Sequence, residues 1–219
     1  MKIRVGGFPR RQIRVVRGLT CAVLLIFVAC VGGTTSADIF TPWQQQRGTN
    51  PAFARQVVAY ATRERPGTII VDPGSHFLYV IHDAGQAIRY GVGVGAEGFI
   101  WSGRATVHSK QEWPDWYPPA EMLARKPELR QHMVQLQSGI GMKGGPENPL
   151  GARAMYLWSG NKDTLYRIHG TNEPWTIGTN VSSGCIRLTN EDIVDLYNRT
   201  PIGAKVIVFG TGKSVAAGQ

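Results

Sequence analysis

The stretch that decides the fold is YRIHGTNEPWTIGTNVSSGCIRLTNEDIVDLYNRTPIGAKVIV, residues 166–208. It opens with an apolar run that ends at His169, passes through small residues to Cys185, and closes in an apolar run at 205–209. Residues 190–197 between them carry helical signals, namely Thr189 or Asn190 as a cap, acids in the first turn and an apolar face. The stretch therefore predicts a strand, a loop with a cysteine, a short helix and a second strand.

The rest of the chain is predicted to be rich in β hairpins. Short apolar or alternating runs are joined by the turn sequences PGS and AGQ. The predicted strands are 67–72, 76–83, 87–95, 105–109, 154–158, 166–169 and 205–209. The other helical signal lies at 120–126. The predicted fold class is mostly β, a sandwich or barrel with a few short helices in one main domain, 66–210.

Residues 97–151 are long and irregular around their one predicted strand, with clusters of proline, glycine and aromatic residues. So long a stretch with little regular structure is unusual in a compact domain unless it forms a lid or a binding wall. Trp113, Trp116 and Tyr117 could pack on the sheet, contact a substrate, or do both. We therefore predict a lid loop here.

The first 37 residues differ from the rest of the chain. Six basic residues precede the first acid, Asp38, and the apolar run 19–31 is followed by TTSA. This pattern predicts a signal peptide cleaved after Ala37, and hence a periplasmic or envelope protein. A lipoprotein site at Cys30, a weak twin-arginine signal and an uncleaved anchor are the alternatives. We expect a tether with a short helix at 51–63 to fill residues 38–65, and 211–219 to form a flexible tail.

Removal of that leader changes the charge and the cysteine count. The formal charge of +9 includes the six basic residues, so 18 of the 24 basic residues remain against 15 acids. A surplus of +3 does not indicate a nucleic-acid partner. Cys185 is then the last of three cysteines and has no internal disulfide partner. It is an inert buried thiol, an intermolecular link or a reactive group.

Cys185 has the surroundings that activate a thiol. Gly184 lets backbone amides approach a ligand closely, a helix follows, and such donors favour a thiolate or an oxyanion. Of five histidines, His169 is the best placed base, because it ends a strand 16 positions before the cysteine. We expect a lowered thiol pKa. Zinc needs a close pair of ligands, and no such spacing occurs, so no metal or other cofactor is predicted.

These residues resemble the catalytic domain of the L,D-transpeptidases, the YkuD-like enzymes of bacterial cell walls. The likeness runs from about Pro66 to Phe209, and His-Gly-Thr followed by Ser-x-Gly-Cys-x-Arg is its specific part. The resemblance implies that Cys185 is the nucleophile and His169 its base, with Gly170 orienting the imidazole and the amides of Gly184 and Cys185 forming an oxyanion hole.

The remaining predicted site residues lie next to the reactive pair in the sequence. Ser183 is counted with Gly184 and Gly170 among the oxyanion and orienting backbone residues. It stands where the family has histidine, which removes an imidazole near the site, but activity is expected to survive because Ser183 is not the base. Arg187 either forms an ion pair with Glu191 or Asp192 or binds a carboxylate of the stem peptide. Ser182 and Trp175 are further predicted substrate contacts.

The family implies a defined reaction on peptidoglycan stem peptides. The thiolate attacks the carbonyl before the terminal D-alanine of a tetrapeptide stem, and the acyl group passes to an acceptor. The acceptor is a second stem, a lysine of an envelope lipoprotein or outer-membrane protein, or water, which would make the protein a carboxypeptidase. A wall-binding module without turnover is the rival from another class, although the intact Cys185 and His169 count against it.

Overall fold

The computed structural model describes residues 48–83 and 85–210. The predicted signal peptide, the tether up to residue 47 and the tail at 211–219 lie outside these residues. Among those described, no helix is long and apolar enough to span a membrane.

Strands dominate the described residues. They are β1 (Gln56–Ala59), β2 (Ile69–Asp72), β3 (Phe77–Ile81), β4 (Gln86–Gly91), β5 (Val94–Gly95), β6 (Gly103–Glu112), β7 (Val134–Leu136), β8 (Gly139–Gly141), β9 (Arg153–Ser159), β10 (Lys162–His169), β11 (Asn180–Ser182), β12 (Ile186–Arg187) and β13 (Lys205–Val208). The α-helices are α1 (Ala120–Arg125) and α2 (Asn190–Arg199), and short 3-10 helices occur at Pro51–Phe53, Pro127–His132 and Pro174–Thr176. The mostly β prediction is confirmed, and the predicted strands are found with ends that differ by a few residues, except that 87–95 is divided into β4 and β5.

One large mixed sheet carries the fold. Its strand order is β1-β4-β3-β2-β13-β6-β9-β10-β12. Pairing is parallel between β2 and β13 and between β10 and β12, and antiparallel elsewhere in this sheet. The contact between β2 and β13 joins segments far apart in sequence, and it places the C-terminal strand β13 in the middle of the sheet.

The sheet curls until its two sides meet beside β12. Gly93, between β4 and β5, exchanges two backbone hydrogen bonds with Arg187, at 2.9 and 2.8 Å. A Cβ on Gly93 would lie 2.8 Å from the carbonyl oxygen of Thr176, so this approach requires glycine. β5 also pairs in parallel with β11. The loop that contains Cys185 is thus held between two parts of the sheet.

The inner face of the curled sheet encloses the main apolar core. Its largest fully buried side chains come from most of the strands and from α2, and include Tyr90, Leu78, Met155, Leu157, Ile168, Leu188, Ile193 and Leu196. Thr189 caps α2, because its Oγ1 accepts a hydrogen bond from the Asp192 amide at 3.1 Å. The cap and the apolar face predicted for this helix are confirmed.

The helix predicted at 51–63 is wrong. A single 3-10 turn, Pro51–Phe53, is capped by Asn50, and the chain then extends into β1, which pairs antiparallel with β4. Val57 and Val58 are β-branched and favour a strand, and the exposed edge of β4 supplies the backbone partners. Residues 56–59 form a strand despite the weak helical pattern, because β4 supplies backbone hydrogen-bond partners that the local sequence does not reveal.

The predicted lid contains more regular structure than expected. After the long strand β6 it holds α1, a 3-10 helix and the β7-β8 hairpin. Asp115 Oδ1 accepts a hydrogen bond from the Gly144 amide at 2.8 Å, and Trp116 exchanges two backbone bonds with Met142. The chain around residue 115 is therefore tied to the chain around residue 143, on either side of α1 and the β7-β8 hairpin.

Candidate active site

Two parallel strands, β10 and β12, carry the predicted catalytic residues. Ile168 pairs with Ile186, and both are buried in the main core. Side chains alternate along a strand, so the next pair, His169 and Arg187, lies on the opposite face of the sheet. Cys185 directly precedes β12 and falls on the same face as His169 and Arg187. The predicted nucleophile and base are thus brought to one surface of neighbouring strands.

His169 is buried and held by backbone carbonyls. Its Nδ1 donates a hydrogen bond to the carbonyl oxygen of Gly170 at 2.6 Å, and the backbone of Leu150 makes a further bond to the ring. Burial, with the charge of Arg187 second, lowers the pKa of His169 to about 3. The imidazole is therefore neutral at neutral pH, and one of its nitrogens is free of a proton, as a base requires.

The end of the lid fixes that histidine. Asn148 is fully buried, and its side-chain amide donates to the carbonyls of Met142 and Lys143 at 3.0 and 3.1 Å. Its Oδ1 accepts from the Leu150 amide at 2.9 Å. Asn148 thus shapes the loop whose Leu150 backbone bonds to His169. The sequence analysis missed this role, although an asparagine within the proline- and glycine-rich run GGPENPLG is a usual sign of a side chain that ties a turn.

Cys185 is a free thiol that is partly accessible. Burial raises its pKa, while a backbone hydrogen bond from Arg167 and the charges of Arg167 and Arg187 act in the lowering direction. The lowered thiol pKa expected from the sequence is wrong for this state of the protein. Thiol and imidazole are both neutral before substrate binds, so the proton must move as the sulfur attacks.

Ser182 closes the turn that presents the cysteine. Its buried hydroxyl donates to the carbonyl oxygen of Cys185 at 2.6 Å and accepts from the Gly184 amide at 3.1 Å. The single donor of Ser182 is therefore used inside the loop, and the predicted substrate contact of this residue remains a prediction. The Gly184 amide is likewise engaged, which counts against its predicted place in the oxyanion hole. Ser183 is exposed at the surface.

Arg187 has a different ion-pair partner from the one predicted. It pairs with Glu173 at 3.1 Å, whereas Glu191 and Asp192 lie 3.6 and 3.7 Å from Arg55. The buried Nε of Arg187 has no hydrogen-bond partner among the described residues. The proposed binding of a stem carboxylate by Arg187 remains a prediction.

Trp175 lies near that ion pair along the chain. It belongs to the 3-10 helix Pro174–Thr176, and its side chain is 42% exposed. A large exposed aromatic surface is compatible with the predicted substrate contact, which stays a prediction.

Comparison with known proteins agrees with this geometry. The family model of the L,D-transpeptidase catalytic domain, YkuD, matches residues 66–208, which include the whole Cys185 and His169 region. The chain belongs to the L,D-transpeptidase family. The resemblance inferred from the sequence is thereby confirmed.

The curated relatives match only part of their own length. The probable L,D-transpeptidase ErfK/SrfK of Escherichia coli strain K12 is 31% identical over 79% of the chain and 52% of its own length. The probable L,D-transpeptidase YbiS of the same strain is 34% identical over 64% of the chain and 43% of its own length. The chain thus spans about half the length of the curated relatives that it matches.

A solved structure from Brucella melitensis carries a different description. It is called a probable carnitine operon oxidoreductase and is 46% identical over 76% of this chain and 99% of that one, with a TM-score of 0.48. A TM-score at this level does not support transfer of that description to this chain.

A cavity of about 520 Å³ lies beside the loop that follows β10. Its lining includes Phe53, Arg55, Asn172, Asn190 and Asp192, but neither Cys185 nor His169. It is formed by the N-terminal segment, the loop after β10 and the start of α2. In the described part of the chain no group of three histidine, cysteine or acidic side chains is placed to hold a metal ion.

Gly184→Ala is expected to disturb this site more than a glycine replacement elsewhere. Gly184 has φ of +120°, and a Cβ there would lie 2.5 Å from Tyr166 Cε1 and 2.9 Å from the Phe99 carbonyl oxygen. We expect the free energy of unfolding to fall by about 1–3 kcal/mol. We also expect the reactivity of Cys185 to fall about tenfold or more, because displacing a reacting group by 1 Å is costly.

Urea unfolding and the rate of Cys185 alkylation measure the two effects. Gly203→Ala is the matched control, since Gly203 also has positive φ, +88°, but no atom lies within 4 Å of its added Cβ. Equal losses in the two variants would show that backbone strain alone, and not crowding at the cysteine loop, explains the result.

Proposed function

We propose that the protein is a peptidoglycan L,D-transpeptidase that forms an acyl-enzyme on Cys185. The observation that carries this proposal is the placement of the Cys185 thiol and the buried, neutral His169 on one face of two adjacent parallel strands. This arrangement lies inside the segment that matches the family. A nucleophile next to an oriented base is the arrangement that covalent acyl transfer needs.

The first half of the reaction forms a thioester. The sulfur of Cys185 bonds to the carbonyl carbon that precedes the terminal D-alanine of a tetrapeptide stem, and His169 takes the thiol proton. The carbon–nitrogen bond then breaks, and the imidazolium returns the proton to the departing amine of D-alanine. Because His169 has a low pKa, its protonated form is a strong acid and exists only briefly.

The second half transfers the acyl group. An acceptor amine attacks the thioester, His169 takes one proton from the amine, and that proton returns to the Cys185 sulfur as it leaves. The acceptor is the diamino acid of a second stem or a lysine of an envelope lipoprotein or outer-membrane protein. Water in its place gives an L,D-carboxypeptidase. We place this reaction in the periplasm, after removal of the leader 1–37.

Product analysis tests the proposal and separates its acceptors. Residues 38–219 are incubated with a disaccharide tetrapeptide, and released D-alanine and the mass of the Cys185 peptide are followed. We expect D-alanine release together with a transient gain of the acyl mass. With an added diamino-acid amine, a cross-linked product indicates transfer, and free tripeptide at an unchanged rate indicates hydrolysis. Binding of the fragment without D-alanine release or adduct at any pH would contradict enzymatic function.

A further inference from the structure

Arg167 lies beside the reacting sulfur, although its side chain was not among the predicted site residues. The register of β10 and β12 pairs Ile168 with Ile186 and His169 with Arg187, so the preceding position places Arg167 opposite Cys185. The backbone of Arg167 hydrogen-bonds the thiol. On its other side, Arg167 pairs with Tyr156 of β9. Tyr156 of β9, Arg167 of β10 and Cys185 just before β12 thus form a row on the same face as His169.

The guanidinium of Arg167 is held rigidly. Its two terminal nitrogens donate to the two carboxylate oxygens of Asp163, at 2.7 and 2.8 Å, and one of them also donates to the Tyr166 carbonyl oxygen at 3.0 Å. Its central carbon lies 4.6 Å from the centre of the Tyr156 ring. The side chain is only 17% exposed. Bidentate pairing with a carboxylate fixes both distance and orientation, so the charge cannot swing into solvent.

The charged groups around the sulfur are unevenly distributed. Arg167 and Arg187 act on Cys185 directly, and both also disfavour the protonated form of His169. Asp163, the partner of Arg167, precedes it by four residues in β10, on the side away from His169. Arg167 lowers the pKa of Asp163, and His108 acts in the same direction. Burial raises the pKa of the Tyr156 phenol, and Asp115 and Tyr117 of the lid act in the same direction. The charges that act on both Cys185 and His169 are therefore those of Arg167 and Arg187, and not that of Asp163.

We propose that Arg167 is a positioning residue that keeps a fixed positive charge beside the Cys185 sulfur and stabilises the thiolate as it forms. This proposal rests on the acyl-transfer function proposed above, but its test does not require turnover. The base, His169, is weak, so the negative charge on sulfur must be stabilised by other groups during attack. A cation that is already immobilised supplies this stabilisation without reorganisation. Asp163 and Tyr156 serve the reaction by holding that cation in place.

The test is the pH dependence of Cys185 alkylation by iodoacetamide. The variants Arg167→Gln and Arg167→Met remove the charge, and Arg167→Lys keeps it. Loss of an opposite charge near a thiolate is expected to raise the apparent thiol pKa by roughly 0.5–1.5 units. Alkylation at pH 7.5 should slow by about 3- to 30-fold in the neutral variants. The lysine variant should lie closer to the wild type.

Arg104→Gln is the matched control, because it removes an exposed arginine from β6. It should leave the alkylation profile unchanged. Two neutral variants are used so that one that unfolds, as judged by circular dichroism, does not end the test. A folded neutral variant with the wild-type pH profile would overturn the proposal. If the wild type lacks transfer activity but the neutral variants still shift the profile, the role of Arg167 stands and the proposed function falls.

Discussion

Cys185→Ser is expected to release D-alanine from a tetrapeptide stem at least about 10³-fold more slowly than the wild type. The reason lies in the weakness of the base. Burial lowers the pKa of His169 to about 3, so this imidazole can take a proton only from a group that becomes a good nucleophile with little assistance. A thiol meets that condition because its sulfur is polarisable and comparatively acidic, whereas a serine hydroxyl does not.

Mass spectrometry of the tryptic peptide that contains Cys185 checks this expectation. The wild-type peptide should gain the acyl mass, and the serine variant should not, while both bind the wall fragment. Ser183→Ala, which changes an exposed neighbour in the same loop, is the control and should keep most of the activity. Adduct formation on a residue other than 185, or undiminished D-alanine release by the serine variant, would exclude Cys185 as the nucleophile.

His169→Gln is expected to lower the rate of D-alanine release by about 10²- to 10⁴-fold, the usual contribution of a general acid–base group. It should also change how stability depends on pH. The unfolded histidine binds a proton below pH 6.5, whereas the folded one does so only near pH 3. Between these values the unfolded state binds more protons, so the wild type loses stability as the pH falls. At pH 4 this loss amounts to about 3 kcal/mol.

Urea unfolding at pH 7 and pH 4 measures that effect as a difference between proteins. The glutamine variant cannot bind the proton, so its stability should fall by about 3 kcal/mol less than that of the wild type over this range. His82→Gln, which replaces an exposed histidine, should behave like the wild type. An identical pH dependence in the wild type and the His169 variant would mean that His169 is not buried in its neutral form.

The features predicted correctly from the sequence were those encoded by neighbouring residues. Alternation and turn sequences located the β2-β3-β4 hairpins, and Thr189 with the apolar face that follows it located α2. The motif around His169 and Cys185 identified the family, because residue identity at fixed spacing needs no coordinates. Each of these signals is local, so it can be recognised in the sequence without knowledge of the tertiary contacts.

Only the tertiary structure decided the features that depend on distant partners. The edge of β4 turned residues 56–59 into a strand, and Glu173 paired with Arg187 in place of the nearer acids of α2. The structure also shows that the Ser182 hydroxyl closes the cysteine loop, a role that depends on the folded turn.

The reactive pair shows the same division between sequence and structure. The sequence named both residues but gave the wrong direction for the thiol pKa, because it contains no measure of burial. Desolvation depends on how many atoms of the whole fold surround a group, and the charge of Arg167 reaches Cys185 only through the pairing of β10 with β12. Residue types and spacing are properties of the chain, whereas proton affinities are properties of the packed structure.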